Sequence, residues 1–287
     1  MSGQWLILAV VTCGPICVGL FLLWRKVAHR AARQTWPFDE LTVRPAGEST
    51  RLVAAEWSEK LLIRTLLAVG LPWVMLVALG SQRAIGLVTL GIVLALTTVL
   101  AIVTLRRTWQ ALEIWRSYNL GFEGERFVGA ELDVLARHKF EVCHDVPFGK
   151  FNIDHVLVGP TGVYAVETKT RRKPKEAGRK TNWTVTVHED AIEYPWGRDR
   201  FGLEQAMRNA QTLRKWILDA TRETVEVHPV LALPGWMVDR KARNAVMVIS
   251  ARNAAQVFLK GRAVLSDEMI QRIAFQLREK SRIDFGN

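Results

Sequence analysis

The chain has 287 residues, 49% of them apolar, a net charge of +11 and three cysteines. That length admits one or two domains. Cys13 and Cys17 lie in an apolar run and Cys143 stands alone, which argues against a disulfide framework and against a thiolate metal site. A mean hydropathy of +0.07 is high for so basic a chain and points to apolar residues gathered into membrane spans. The cations then either flank those spans or meet nucleic acid.

The first apolar run, residues 5–24, is uncharged and has Trp5 and Trp24 at its ends. Its length suits one bilayer crossing, and the terminal Trp residues suit the interfacial belt. A cleaved signal peptide would need a cationic stretch first, and Met1-Ser2-Gly3-Gln4 has none. Arg25, Lys26, Arg30 and Arg33 follow the run, so the positive-inside rule puts the N-terminus outside and the chain beyond Arg25 in the cytoplasm. Residues 31–60, with Pro37, Pro45 and Gly47, read as a cytoplasmic connection.

Residues 61–79 and 85–105 form a second and a third apolar run, joined by the short link Gly80-Ser81-Gln82-Arg83-Ala84. Arg64 sits near the start of the second run, where a long cation snorkels to the interface. Arg106 and Arg107 close the third on the cytoplasmic side. The runs contain no Asp or Glu, so they read as an anchor and not as a transport pathway. The expected organisation is a membrane anchor over residues 1–107, an amphipathic connector over 108–120 with Trp109, Leu112, Ile114 and Trp115, and a soluble α/β domain over 121–287.

In that domain, Gly121-Phe122-Glu123-Gly124-Glu125 is expected to open a helix with Phe127, Val128, Leu132 and Leu135 on its apolar side. A strand over 140–146 follows. Residues 151–169 then read as two strands around the turn Gly159-Pro160-Thr161-Gly162. Pairing Gly159 with Gly162 sets Asp154 opposite Glu167, and side-chain alternation puts Lys169 on the face of Glu167 with Thr168 on the other. Two carboxylates facing each other across a ladder repel, and burying them unpaired is costly. A divalent cation held by oxygen ligands, such as Mg²⁺, removes the conflict. The other reading of Asp154, Glu167 and Lys169 is a salt-bridged triad.

Arg171, Arg172, Lys173, Lys175, Arg179 and Lys180 follow at once, as a basic loop that either is solvated or contacts phosphates. Strands are expected over 183–187, 225–233 and 245–249, and helices from about Leu203, over 253–258 and over 266–279 with Ser266 as N-cap. Gln205 and Asn209, four residues apart, share a helix face. His144, His155, His188 and His228 lack zinc spacing; His155 alternates away from Asp154 and reads as a core or hydrogen-bonded histidine.

The string from Asn152-Ile153-Asp154-His155-Val156 to Tyr164-Ala165-Val166-Glu167-Thr168-Lys169 resembles the NERD (nuclease-related) domain, and its Asp…Glu-x-Lys core the PD-(D/E)XK restriction-endonuclease-like superfamily. The resemblance covers roughly residue 121 onward. It implies a mixed central sheet flanked by helices, and a Mg²⁺- or Mn²⁺-dependent nuclease acting on nucleic acid, DNA before RNA. It implies metal ligation by Asp154, Glu167 and the Thr168 backbone carbonyl. Lys169 would act on the attacking water. Glu125, which otherwise reads as a first-turn carboxylate complementing the helix dipole, would complete the metal site. Gln205 would support the bound water or a phosphate. With the spans, the expected protein is an integral protein of a plasma or inner membrane with its nuclease-like domain in the cytoplasm. A non-catalytic module of the same fold, binding nucleic acid or a protein at the membrane, is the alternative.

Overall fold

The computed structural model describes residues 43–80, 86–173, 183–252 and 254–282. The chain divides into two compact units, Met1–Glu40 with Ala54–Arg116, and Leu41–Val53 with Ser117–Asn287. Helix α1 is Glu48–Gly80 and helix α2 is Leu87–Asp133.

In the first unit, α1 and α2 supply two helical stretches. Thr97 Oγ1 donates to the Val93 carbonyl and meets Met75 Sδ at 3.3 Å, and Arg64 Nη1 donates to the Arg107 carbonyl at 3.2 Å. Among the described residues, one helical stretch, Leu87–His138, is long and apolar enough to cross a membrane. Its apolar side chains stay largely uncovered: Leu87, Leu96 and Leu105 are 86%, 62% and 64% exposed. The expected span over 61–79 falls inside α1. The expected span over 5–24 and the link around Ser81 lie outside the described residues.

The second unit is α/β, with two mixed sheets flanked by helices. The strands are β1 (Glu141–Phe148), β2 (Phe151–Gly159), β3 (Gly162–Thr168), β4 (Thr184–Val187), β5 (Ile192–Tyr194), β6 (Gly197–Asp199), β7 (Val227–Ala232), β8 (Met237–Arg240) and β9 (Met247–Ile249). The larger sheet has order β1-β2-β3-β7-β9 and the smaller β6-β5-β4-β8. In the larger, β1, β2 and β3 pair antiparallel, while β3–β7 and β7–β9 are parallel. The helices are α3 (Phe201–Thr221), α4 (Ala255–Phe258) and α5 (Asp267–Lys280), the last capped by Ser266 Oγ accepting from the Met269 N–H.

Strand β3 is buried along its whole length, so both of its faces carry apolar side chains, as a central strand requires. Val163 and Ala165 pack with Ala210, Leu213 and Ile217 of α3 and with Ile273 and Leu277 of α5. Tyr164 and Val166 pack on the other side, with Val128 and Leu132 of α2 and Phe258 of α4. The smaller sheet covers Leu203 and Ala206 at the start of α3. Helix α3 is thus wedged between the two sheets, and its first turn comes to the C-terminal end of β3.

Two expectations are corrected. No helix opens at Gly121: residues 108–125 all belong to the single helix α2. Gly124 is there for close packing. A Cβ at that position would fall 1.6 Å from Thr170 Oγ1, so only glycine lets α2 lie against the end of β3. The short strands β5, β6 and β8, not expected from the sequence, have three or four residues each, too few to show a period.

Residues 43–53 dock on this unit, far from it in sequence. Val43 bridges Arg282, and the Arg44 N–H donates to the Ser281 carbonyl. Asp145, 1% exposed and at φ +48°, accepts from the Ser49 N–H at 3.0 Å, from Ser49 Oγ, from Asn152 Nδ2 and from Arg44 Nη1 at 3.1 Å. A carboxylate at the free N–H groups of a helix start satisfies orphan donors and complements the dipole. The start of α1 is therefore pinned to β1.

Candidate active site

The turn between β2 and β3 adopts the expected register. Gly159 pairs with Gly162, Val158 with Val163, and His155 with Val166, so the ladder carries Asp154 to the level of Glu167. A Cβ on Gly159 would overlap the Phe140 ring, while Gly162 sits at φ +135°. The turn therefore needs glycine at Gly162 and the packed Phe140 ring needs it at Gly159, and the pairing of the two sets the register that faces the two acids.

Asp154 and Glu167 differ in what holds them. The half-buried Asp154 accepts a 2.7 Å hydrogen bond at Oδ2 from the Thr168 N–H. Glu167, 2% exposed, accepts at Oε1 from Lys169 Nζ at 2.7 Å and at Oε2 from Asn209 Nδ2 at 2.8 Å, with Gln205 a further donor. Burial pushes both carboxyls up. For Asp154 the push is well above the usual carboxylate range, and the charges of Glu167 and Glu125 add to it. For Glu167, Lys169 and the amide donors pull the other way.

Glu125 reaches this group from mid-helix α2, which removes the reading of it as a first-turn carboxylate. It is 9% exposed, and Thr50 Oγ1 donates to its Oε1 at 2.9 Å. Burial raises its pKa from 4.5 to about 7; the Thr50 hydrogen bond opposes the rise, and Asp145 and Glu167 add to it. Glu125 is thus close enough to feel Glu167 and Lys169, but its hydrogen bond goes to Thr50. Among the described residues, no three His, Cys, Asp or Glu side chains converge tightly enough to hold a metal ion by themselves.

The far side of the ladder holds a pair of histidines. His155, 0% exposed, meets His144 through their Nδ1 atoms at 2.8 Å and Thr168 Oγ1 at 3.2 Å. Burial, then His144, holds its pKa well below the usual value. Asp133 Oδ1 lies 2.9 Å from His144 Nε2. His155 is therefore the hydrogen-bonded core histidine that its register implied, and Thr168 points away from the acids as alternation required.

Lys169 continues β3 by donating its N–H to the Ala232 carbonyl at 3.0 Å. Gly202 lets the first turn of α3 approach it, since a Cβ there would stand 3.3 Å from Lys169 Cγ. Of the basic loop, Arg171 pairs with Asp199 at 2.9 Å, and Lys173 Nζ lies over the ring of Trp183. Lys175, Arg179 and Lys180 lie outside the described residues.

The structure thus brings Asp154, Glu167, Lys169 and Gln205 together, with Glu125 electrostatically coupled to them. Two residues were not assigned from sequence. Asn209 had a signal, its spacing of four from Gln205. Thr50 had none, because its segment lies on the other side of the expected membrane hairpin.

Comparison with protein families finds a nuclease-related domain, NERD, over residues 120–234. No curated protein and no solved structure matches the chain.

Proposed function

We propose that a nuclease-related domain spanning residues 120–234 makes this chain a divalent-metal-dependent nuclease of the PD-(D/E)XK type. It hydrolyses phosphodiester bonds of nucleic acid, DNA in the first place. The observation that carries the reading is the placement of Lys169 Nζ 2.7 Å from Glu167 Oε1, on the face that Glu167 shares with Asp154. The buried Glu167 and the half-buried Asp154, which repel, together with one ammonium are what a phosphate diester and its counter-cation would balance.

The donor set suits Mg²⁺ or Mn²⁺. Such ions are held through one or two carboxylates and keep several waters, and Asp154, Glu167 and the Thr168 carbonyl provide that number. When bound, such an ion supplies charge stabilisation at the phosphate and a lowered pKa for water. The chain's own residues do the rest. Lys169 stabilises negative charge growing on the phosphate and orients the attacking water. Asn209 and Gln205 donate to Glu167 and orient it, as partners of a metal-ligating carboxylate do. Glu125, poised near neutrality, gives or takes a proton at the edge of the site or joins the ligand set.

The helical stretch Leu87–His138, with its uncovered apolar side chains, supports a membrane anchor. The proposal retains three spans over 5–24, 61–79 and 85–105, with the N-terminus outside and the nuclease domain in the cytoplasm, where nucleic acid is present. Tag accessibility in intact cells checks this, and an exposed C-terminus would overturn the topology.

A second reading, a non-catalytic module that binds nucleic acid or a protein, has one observation in its favour: both oxygens of Glu167 are already satisfied by protein donors. One experiment separates the two. Full-length protein is incubated with plasmid and single-stranded DNA and with Mg²⁺ or Mn²⁺, beside Asp154→Asn and Lys169→Met. Cleavage lost in both variants supports the nuclease. Cleavage by neither metal on any substrate, with binding retained, supports the module.

A further inference from the structure

A strip of aromatic rings and cations runs away from the end of β3. Lys169 Nζ lies 5.5 Å from the ring of Phe201, which is 55% exposed at the start of α3. The Phe201 N–H donates to Asp199 Oδ1, and Asp199 Oδ2 accepts from Arg171, which also bonds Tyr194. Tyr194 carries Trp196 stacked on it, with centroids 5.0 Å apart and planes at 16°. Trp196 is 54% exposed and meets the buried Trp236 edge-on at 5.6 Å. Lys173 Nζ then lies 5.7 Å from the Trp236 ring and 4.4 Å from that of Trp183, which is 49% exposed.

Scattered exposed apolar residues are ordinary. This arrangement is different in two respects. The half-exposed rings are held in place: Trp196 stacks on Tyr194 and meets Trp236, Trp183 lies against Lys173, and Phe201 lies beside Lys169 and Arg208 at the start of α3. Cations recur beside them at Lys169, Arg171 and Lys173, and the strip begins at the lysine of the site itself.

We propose that this strip binds an unpaired strand of nucleic acid and delivers it to Asp154, Glu167 and Lys169. The proposal rests on the nuclease reading of that site and names its substrate class. Aromatic side chains stack on any base whose face is free, and cations track the backbone. In a duplex the base faces are covered by their neighbours, so a duplex would use only the phosphate contacts, which carry no demand for rings. A membrane surface would also accept Trp residues, but it gives no reason for the strip to start at Lys169.

The test measures binding apart from cleavage. Full-length wild-type protein is titrated, in EDTA and at fixed salt, with a single-stranded oligonucleotide and with the duplex of the same length, followed by fluorescence anisotropy. Trp196→Leu, Trp183→Leu and Phe201→Leu keep apolar bulk and remove the ring, and thermal unfolding checks that each variant is folded. The expected result is tighter binding of the single strand by wild type, and a loss of about fivefold or more per folded variant on the single strand with duplex binding unchanged. A parallel titration with vesicles of anionic phospholipid covers the membrane alternative; equal affinity for both nucleic-acid forms, equal losses on both, or losses seen only on the vesicles would overturn the proposal. Strand-selective binding that depends on the rings, without cleavage in Mg²⁺, would remove the nuclease reading and leave the strip standing. Cleavage with no dependence on the rings would do the reverse.

Discussion

Thr50 Oγ1 donates to Glu125 Oε1 at 2.9 Å, across 75 residues of sequence. The contact exists because Asp145 pins the start of α1 to β1 and because α2 lies flush against the end of β3. A residue that precedes the expected membrane hairpin thus steadies an acid of a domain that follows it. That acid carries a raised pKa, and the Thr50 hydrogen bond is the largest influence holding the rise in check.

Replacing Thr50 by Val keeps the shape and removes the donor. The charged form of Glu125 then loses a direct stabilising bond. The expected outcome is a rise of about tenfold in the Mg²⁺ concentration needed for half-maximal cleavage, in line with the usual effect of outer partners on metal affinity. Thr50→Ser should stay near wild type. A Mg²⁺ titration of both variants checks it, and a Val variant indistinguishable from wild type would detach Thr50 from the site.

Glu125 also sets a pH dependence. Its folded pKa, about 7, lies above its ordinary value of 4.5. Below 4.5 it is protonated in both states and costs nothing. Between about 4.5 and 7 the unfolded chain releases the proton and the folded chain keeps it, so the folded state binds more protons and stability falls as pH rises. The full effect is on the order of 3 kcal/mol at most. Glu125→Gln should therefore melt higher than wild type at pH 8 and at about the same temperature at pH 4.5. Added Mg²⁺ should narrow the gap at pH 8 if Glu125 joins the ligand set. Melting curves at the two pH values, with and without Mg²⁺, decide both points.

Gly124→Ala places a methyl group inside the Thr170 side chain, 1.6 Å from Oγ1 and 2.8 Å from Cβ. Either α2 lifts from β3 or Thr170 moves. The expected cost is about 1–3 kcal/mol, typical of overpacking, and Glu125 on the next residue is displaced. Thr170→Gly should recover most of the loss in the double variant. A double-mutant cycle on unfolding free energy measures the coupling, and additive losses would mean that the two residues do not compete for the same space.

Asn209→Ala strips the donor from Glu167 Oε2 in a buried setting. Leaving a buried charged acceptor short of a partner costs about 1–3 kcal/mol. Gln205→Ala should cost less, because Gln205 is only half-buried and Glu167 keeps Lys169 and Asn209. Denaturant unfolding of the two variants side by side orders them, and the reverse order would move the support of Glu167 to Gln205.

Much of the core of this site was legible in the amino-acid order. Gly162, at positive φ, closes a turn that glycine favours and pairs with Gly159, so the register of β2 on β3 followed, and with it the facing of Asp154 and Glu167 and the turning away of His155 and Thr168. These are local consequences of alternation and of a tight glycine turn. Gln205 and Asn209 were legible as a helix pair, but which of them takes the short bond to Glu167 depended on how α3 sits between the sheets.

The rest was decided only by tertiary packing. The glycines at 121 and 124 look like a helix start, and the local pattern carries nothing against that reading; both lie inside α2, and Gly124 is glycine because Thr170 packs against it across space. Strands β5, β6 and β8 are too short to carry a period, yet they build the sheet that braces Trp196 and Trp236. Thr50 belongs to the site through Asp145, a residue whose left-handed backbone and four donors are invisible to any pattern along the chain. Sequence alone determined the two strands, their register and the acids they face, since each depends on neighbours a few residues away. Tertiary structure decided which distant side chains hold those acids, since that depends on where the helices come to rest.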